Sequence, residues 1–301
     1  MKAIIQKQYG GTDTLEHVER HKPPVTKDDI LVKVSYANIS AGDKNINTMN
    51  VTFPLNIIMK LIFGVKKPKA EIRGISGSGI IEEIGSKITQ FKVGDHVNFI
   101  NSMKAGALAD YLVLNERSKI AKLDHEVSLS DAAPIAFGAL SANHFINRNT
   151  IKKGMEVMIY GASGSVGSYA ASLVNYFGGN VTMVASQKHH AKLKPIEGQL
   201  VGYENNAYLE LTTKFDVFFD AVGKIKKKQV SKLLKTSGKF YSIKAPTKED
   251  LVKLNKLNAL LKEKKIVTII DKIYPFEAFK EAHQKVYDGH KTGNVVIEIN
   301  P

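Results

Sequence analysis

Met155-Glu156-Val157-Met158-Ile159-Tyr160 is an apolar run that leads directly into Gly161-Ala162-Ser163-Gly164-Ser165-Val166-Gly167, and a helical pattern continues from Ser165 to Phe177. A second apolar run, Asn180–Ala185, follows at once. Glycines spaced this way are weak evidence alone, because they collect in many turns. Placed between a strand and a helix they carry a mechanism. They let the backbone turn tightly and approach a pyrophosphate, and the helix start offers unpaired N–H groups and a positive dipole end. Gly161, Ala162, Ser163, Gly164, Ser165, Val166 and Gly167 are therefore candidate dinucleotide-binding residues. The competing reading is a tight strand-to-helix turn without a ligand.

Strands and helices alternate outward from that stretch. Leu200–Gly202, Phe215–Asp220 and Lys239–Ile243 read as further strands, with helices expected at Asn205–Thr213, Lys226–Lys235 and Lys248–Lys262. Such alternation implies a doubly wound parallel sheet. Upstream, Lys2–Gln6, Ile30–Tyr36, Gly79–Ile84, His96–Asn101 and Ala109–Leu114 are short strand-like runs between Gly, Pro, Asn and Asp, a spacing that suggests a small barrel. Ser128–Ala133 opens a helix with Ser128 or Ser130 as its cap. The tail carries a helix at Glu277–Tyr287 and a strand at Asn294–Ile299, as if the chain returned to its first domain. At about 150 residues per domain, 301 residues suggest two. The boundaries expected are 121–266 for the Rossmann domain and 1–120 plus 267–301 for the barrel. The fold class is α/β.

The chain has no cysteine, which excludes disulfides, thiolate nucleophiles and Cys-ligated metal. Met1–Lys7 lacks a signal-peptide pattern, and Leu55–Val65, the most apolar stretch, is far shorter than the ~20 residues that span a bilayer. A soluble, cytoplasmic protein without a membrane partner is expected. The net charge is +14, and fourteen lysines between Lys224 and Lys265 face only Glu249, Asp250 and Glu263. Lysine without interleaved aromatics is a poor nucleic-acid signature, and a solvated surface is the plainer reading.

Cofactor choice is set after the second strand, where NAD sites place an acid for the ribose. Val181–Lys194 holds no acid. Ser186, Lys188, His189, His190 and Lys192 crowd the position instead and suit the 2′-phosphate of NADPH, although a solvated basic helix would look the same.

Several further motifs make the chain resemble the medium-chain dehydrogenase/reductase superfamily, in its zinc-free quinone oxidoreductase-like branch. Gly74-Ile75-Ser76-Gly77-Ser78-Gly79, Gly85 and Phe91–Val97 follow its glycine and "F-K-x-G-D-x-V" signature, and Gly106–Tyr111 its "G-x-x-A-E-Y" hairpin. Ala132-Ala133-Pro134 with Ser141-Ala142, Phe215–Gly223, Tyr274-Pro275-Phe276, Ala282-His283 and Gly293–Val296 match its later motifs. The resemblance covers nearly the whole chain. It implies a GroES-like β-barrel domain with a Rossmann domain, and it places Lys188 and Tyr203 at the 2′-phosphate. Val222, in the "V-D-V-V-x-D-x-V-G" segment, and Asn294, in the closing one, fall among its cofactor contacts.

The resemblance also places the catalytic-zinc ligands of related alcohol dehydrogenases at Ser40, Ile75 and Phe137, none of them a plausible ligand there. Zinc would polarise a substrate oxygen. Without it the substrate needs its own electron sink, as quinones and α,β-unsaturated carbonyls have. The protein then holds the reactants together and donates a hydrogen bond to the oxygen. Ser40, Asn38 and Asp43, in the segment the family places beside the nicotinamide, are the candidates. Ser40 is the first choice as donor, against a structural role; Asp43 reads more as a loop anchor. Phe53, Phe63 and Phe137 fit an apolar pocket or a core equally well.

Two departures stand out. Asn294 replaces the family's lysine, and the chain runs short after Ile243, where relatives add a sixth strand that pairs across a dimer. Ala245-Pro246-Thr247 leads straight into a helix with Thr247 as the expected cap. Leu251, Leu254, Leu257, Leu260 and Leu261 form its apolar stripe, and a monomer or an atypical dimer is expected. The alternatives to a quinone or enone reductase are a 2-enoyl-thioester reductase and a non-catalytic NADPH-binding or RNA-binding regulator.

Overall fold

The protein, seen in a computed structural model, is described for residues 1–51, 53–115 and 117–300. It forms two compact units. The first comprises Met1–Phe137, Lys272–His290 and Asn294–Pro301; the second comprises Gly138–Asp271 and Lys291–Gly293.

In the first unit β1 (Lys2–Gln6) and β2 (Leu15–Glu19) make an antiparallel pair. A seven-stranded sheet holds β3 (Asp29–Ile39), β4 (Ser76–Ile84), β5 (His96–Ile100), β6 (Tyr111–Asn115), β7 (Lys119–Lys122), β13 (Ile270–Pro275) and β14 (Asn294–Glu298). β3 is long enough to serve two partners along one edge. Its first half, Asp29–Lys33, pairs with β6, and its second half, Tyr36–Ile39, with β14. Ile30, Val32 and Val34 point into one core with Val97, Phe99, Leu114 and Val295, at the period of two of a strand face, while Leu31 on the other face is buried as well. The C-terminal strand thus lies in the first unit's sheet, whose GroES-like fold matches the sequence reading. Two helices escaped that reading: α1 (Ala41–Thr48) and α2 (Leu55–Phe63).

The unit boundary falls later than the sequence suggested. Residues 121–137 belong to the first unit because α3 (Leu129–Ala132) is tied to its sheet. Ser78 Oγ donates to Leu129 O at 2.6 Å, and Asn98 Nδ2 donates to Ala132 O at 3.2 Å. Residues 267–271 and 291–293 lie with the second unit.

The second unit contains a five-stranded parallel sheet of β8 (Glu156–Tyr160), β9 (Asn180–Ala185), β10 (Gln199–Gly202), β11 (Phe215–Asp220) and β12 (Leu234–Ser242). Its order β10-β9-β8-β11-β12 is third, second, first, fourth, fifth in the chain, the Rossmann arrangement. Val157, Met158 and Ile159 of the central strand are completely buried, as a parallel strand covered on both faces must be. The unit's helices are α4 (Leu140–Phe145), α5 (Ser165–Tyr176), α6 (His190–Leu193) and α7 (Leu251–Lys262). α8 (Phe279–Asp288) returns to the first unit, packing on β14.

Three local expectations need correction. Asn205–Thr213 is not an α-helix: a 3-10 segment over Glu204–Glu210 is broken where Asn205 and Asn206 adopt φ of 54° and 55°. Lys226–Lys235 is a 3-10 turn over Lys227–Leu233, and Lys235 already lies in β12. The cap of α7 is Asp250, whose side chain accepts from Lys253 N, rather than Thr247; the acid makes the stronger cap because its charge meets the helix dipole. Leu254 and Leu257 bury the stripe of α7, with Leu251, Leu260 and Leu261 half-buried beside them. β12 ends the sheet, with no sixth strand among the described residues.

Candidate functional site

The glycine turn is built from backbone. Gly161 has φ of +86°, which an L side chain rarely adopts, and its N–H donates to Val184 O at 2.9 Å. A Cβ on Gly167 would lie 2.2 Å from Gly161 O, so only glycine lets α5 start this close to β8. A Cβ on Gly164 would meet nothing nearer than Gly161 O at 3.4 Å, which leaves open space before the helix. Gly164 caps α5 with no side-chain hydrogen bond. α5 thus begins with backbone N–H groups that no side chain caps. Ser165 Oγ is buried with no partner, close against Gly138. An anionic diphosphate fits this arrangement. Ala162 and Ser163 are buried in the turn, with Val166 half-buried behind them.

Val222 lies against the turn, its Cγ2 only 2.3 Å from where a Gly161 Cβ would be. Asp220, at the end of β11, holds that loop by accepting from Val222 N, Gly223 N and Ile225 N at 3.0, 2.8 and 2.9 Å. Tyr203 packs its ring, tilted by 57°, 4.9 Å from that of Tyr160, and burial pushes its phenol well above the usual tyrosine range. Lys188 is exposed beyond β9.

The structure brings to this region two residues the sequence reading missed. The acid absent from Val181–Lys194 arrives from the end of β10: Glu204 Oε1 accepts from Ser186 Oγ at 3.0 Å and Gln187 N at 3.2 Å. Backbone N–H groups, its own and that of Gln187, hold the Glu204 carboxyl below its usual range. The second is Lys291. Gly293 N donates to Ser163 O at 2.7 Å, and Thr292 Oγ1 bonds His189 Nδ1 at 2.6 Å, so the 291–293 segment is laid along the turn. Burial lowers the Lys291 ammonium to about 8, against the attraction of Asp271, and its Nζ donates to Gly293 O. A lysine three positions before the Asn294 that departs from the family pattern was the available signal. Asn294 itself is buried at the start of β14.

In the first unit Ser40, Asn38 and Asp43 lie where β3 passes into α1. Ser40 and Asp43 form a capping box: Ser40 N and Oγ donate to Asp43 Oδ2 at 2.9 and 2.6 Å, and Asp43 N donates back to Ser40 Oγ at 3.3 Å. Asp43 Oδ1 accepts from Ile75 N at 3.1 Å. Burial raises the Asp43 carboxyl, and the bonds from Ser40, the Arg73 charge and the Ile75 N–H pull it down. Asn38 is buried; its Nδ2 reaches Ser76 Oγ at 3.4 Å and its Oδ1 has no partner. Arg73 donates through Nε and Nη2 to Asn47 Oδ1 at 2.8 and 2.6 Å, and Asn47 Nδ2 donates to Tyr287 OH at 2.9 Å.

The positions expected of zinc ligands do converge, and their chemistry does not fit the metal. A Cβ on Gly42 would touch the Phe137 ring at 2.9 Å and Ile75 Cδ1 at 3.0 Å. Ile75 is buried with Ile46, Met49 and Ala105, and Phe137 and Phe63 pack on that cluster. Carbon donates no lone pair, and the Ser40 oxygen is engaged by Asp43. Among the described residues no group of three His, Asp or Glu side chains could hold a metal elsewhere. Phe53, weighed as pocket or core, is 76% exposed and belongs to neither.

Residues 26–125 match the family described as "Alcohol dehydrogenase GroES-like domain", and residues 198–297 match "Zinc-binding dehydrogenase". The chain is 28% identical to a chloroplastic quinone-oxidoreductase homolog of Spinacia oleracea, over 99% of this chain and 98% of that one. It is 24% identical to a chloroplastic NADPH-dependent alkenal/one oxidoreductase of Arabidopsis thaliana, over 99% and 79% of the two chains. The fold is shared with the quinone oxidoreductase from Coxiella burnetii, with a TM-score of 0.85, 24% identity and coverage of 100% and 99%.

Proposed function

The chain belongs to the medium-chain dehydrogenase/reductase superfamily, as an oxidoreductase of its quinone-oxidoreductase-like branch, and from that premise we propose an NADPH-dependent, zinc-independent reductase of quinones or α,β-unsaturated carbonyls. What carries the reading is the apolar cluster of Ile75, Phe137, Ile46 and Met49 where zinc dehydrogenases keep their ligands. With no Lewis acid available from those positions, the acceptor must delocalise the incoming electron pair itself.

Bound NADPH supplies the hydride. The N-terminus of α5 and the glycine turn would hold its diphosphate, and Lys188 and Tyr203 would meet its 2′-phosphate, with Glu204 tempering the preference. Ser40 donates a hydrogen bond to the acceptor's oxygen as charge develops there. To do so its hydroxyl turns from Asp43, a change that gives up one charge-assisted bond, about 1.5–3 kcal/mol. Asp43 keeps two backbone donors, Ser40 N and Ile75 N, and so stays in place. Asp43 is thus a positioning residue.

The test is consumption of NADPH with a benzoquinone, an enal and a crotonyl thioester. Turnover with the first two is expected, and Ser40→Ala should lower kcat by about 100-fold while leaving the Kd for NADPH unchanged. Turnover with the thioester alone would favour an enoyl-thioester reductase. Tight NADPH binding with no turnover would favour a non-catalytic binding protein.

A further inference from the structure

α2 carries one polar stripe, Asn56 and Lys60, and is apolar over the rest of its surface, and none of its residues is buried. Met59 and Phe63, four residues apart, pack one side of the helix on the cluster of Ile46, Met49, Ile75 and Ala105. The rest faces outward: Leu55 is 51% exposed, Ile58 49% and Leu61 64%, with Phe53 and Val65 exposed at either end. An apolar helix face is ordinarily covered by another element. This one is also firmly held. Tyr9 OH donates to Gly64 O at 2.8 Å, and Lys69 Nζ donates to Leu61 O and Ile62 O at 3.0 and 2.9 Å.

The charge around it points to what covers it. Between Asp43 and Glu71 the sequence contains five lysines and no acid. Lys60, Lys66 and Lys67 are exposed on and just beyond the helix. A second copy of this face would set those cations against their equals, with no carboxylate in the segment to relieve them. An anionic bilayer supplies both requirements, an apolar layer for Leu55, Ile58 and Leu61 and phosphates for the lysines at its surface. We propose that α2 and the lysines beside it dock the protein on the surface of an anionic phospholipid membrane, with the helix lying in the interface. A nine-residue helix is too short to span, so this is surface contact. The inference stands apart from the reductase reading.

The whole protein is mixed with vesicles of phosphatidylcholine alone and of phosphatidylcholine with phosphatidylglycerol, and the bound fraction is read by sedimentation. Binding is expected to the anionic vesicles only and should weaken with salt. Ile58→Ser/Leu61→Ser, and separately Lys60→Glu/Lys66→Glu/Lys67→Glu, should each weaken it roughly tenfold or more, with circular dichroism unchanged. The chain has no tryptophan, so Leu61→Trp places a single indole whose emission should shift to the blue on anionic vesicles. Three results would overturn the proposal. Wild type could bind neither vesicle. The serine variant could bind as well as wild type, which would assign the contact to the lysines of residues 224–265. Light scattering could show a dimer that the serine variant dissociates, making a second copy the occupant.

Discussion

The glycine turn and the Ser40–Asp43 corner are made of different material. The turn is peptide: Gly161, Gly164 and Gly167 shape it, and what it offers a ligand is mostly N–H groups at the start of α5. The corner is side chain. Ser40 and Asp43 face each other, and the buried Arg73 and Asn47 with the half-buried Tyr287 form the polar group around them. A backbone site is written in consecutive residues and depends on the space they leave. A side-chain site depends on partners tens of residues away and on their charge, so it degrades gradually when one is lost.

Gly167→Val should break the first kind of site outright. Its Cβ would meet Gly161 O at 2.2 Å and Ala162 Cα at 2.8 Å, both backbone atoms that cannot step aside. Titration of NADPH fluorescence should show no saturable binding, and thermal melting should show a large drop in stability. Near-wild-type affinity would mean that the turn does not cradle the cofactor.

Asp43→Ala should wear down the second kind. It leaves Ser40 N and Ile75 N without their buried acceptor, a cost of about 3 kcal/mol in stability by denaturant unfolding. kcat should fall with it, because Ser40 loses the partner that fixes its rotamer. The Kd for NADPH should hold, since the glycine turn draws on none of these atoms. A parallel collapse of cofactor affinity would dissolve the contrast.

The same contrast explains what the sequence made legible. The Rossmann strands and the turn are local patterns, an apolar run, glycines, then a helix, so their places were readable in chain order. The pairing of β14 with β3 was anticipated only as a return of the tail. Glu204 was not legible: its carboxylate reaches Ser186 from eighteen residues away, and it comes there because Asn205 and Asn206 break what looked like a helix. Nor was Arg73, whose bond to Asn47 needs β4 and α1 already in place. α2 was read for its length alone, and its exposure depends on which side packs against the rest of the first unit. The place of Lys291 follows from Gly293 pairing with Ser163, a contact no local pattern announces.

The smallest expected effect is the most diagnostic, because it concerns side chains decorating a backbone site. Lys188 is exposed, so water and salt screen whatever it contributes. Lys188→Ala should weaken NADPH by about tenfold and leave NADH nearly unchanged, since only the former carries a 2′-phosphate. Glu204→Gln acts in the opposite sense. Its carboxylate is charged at neutral pH, and removing that charge should tighten NADPH several-fold while costing NADH any bond to its ribose. The hydrogen bonds from Ser186 and Gln187 can still be accepted by the amide oxygen, so the loop should keep its shape. Kd values for both cofactors, measured by fluorescence at two salt concentrations, separate the cases. If neither substitution moves the ratio of the two affinities, cofactor choice does not lie at the end of β9, and the basic residues there are solvated surface.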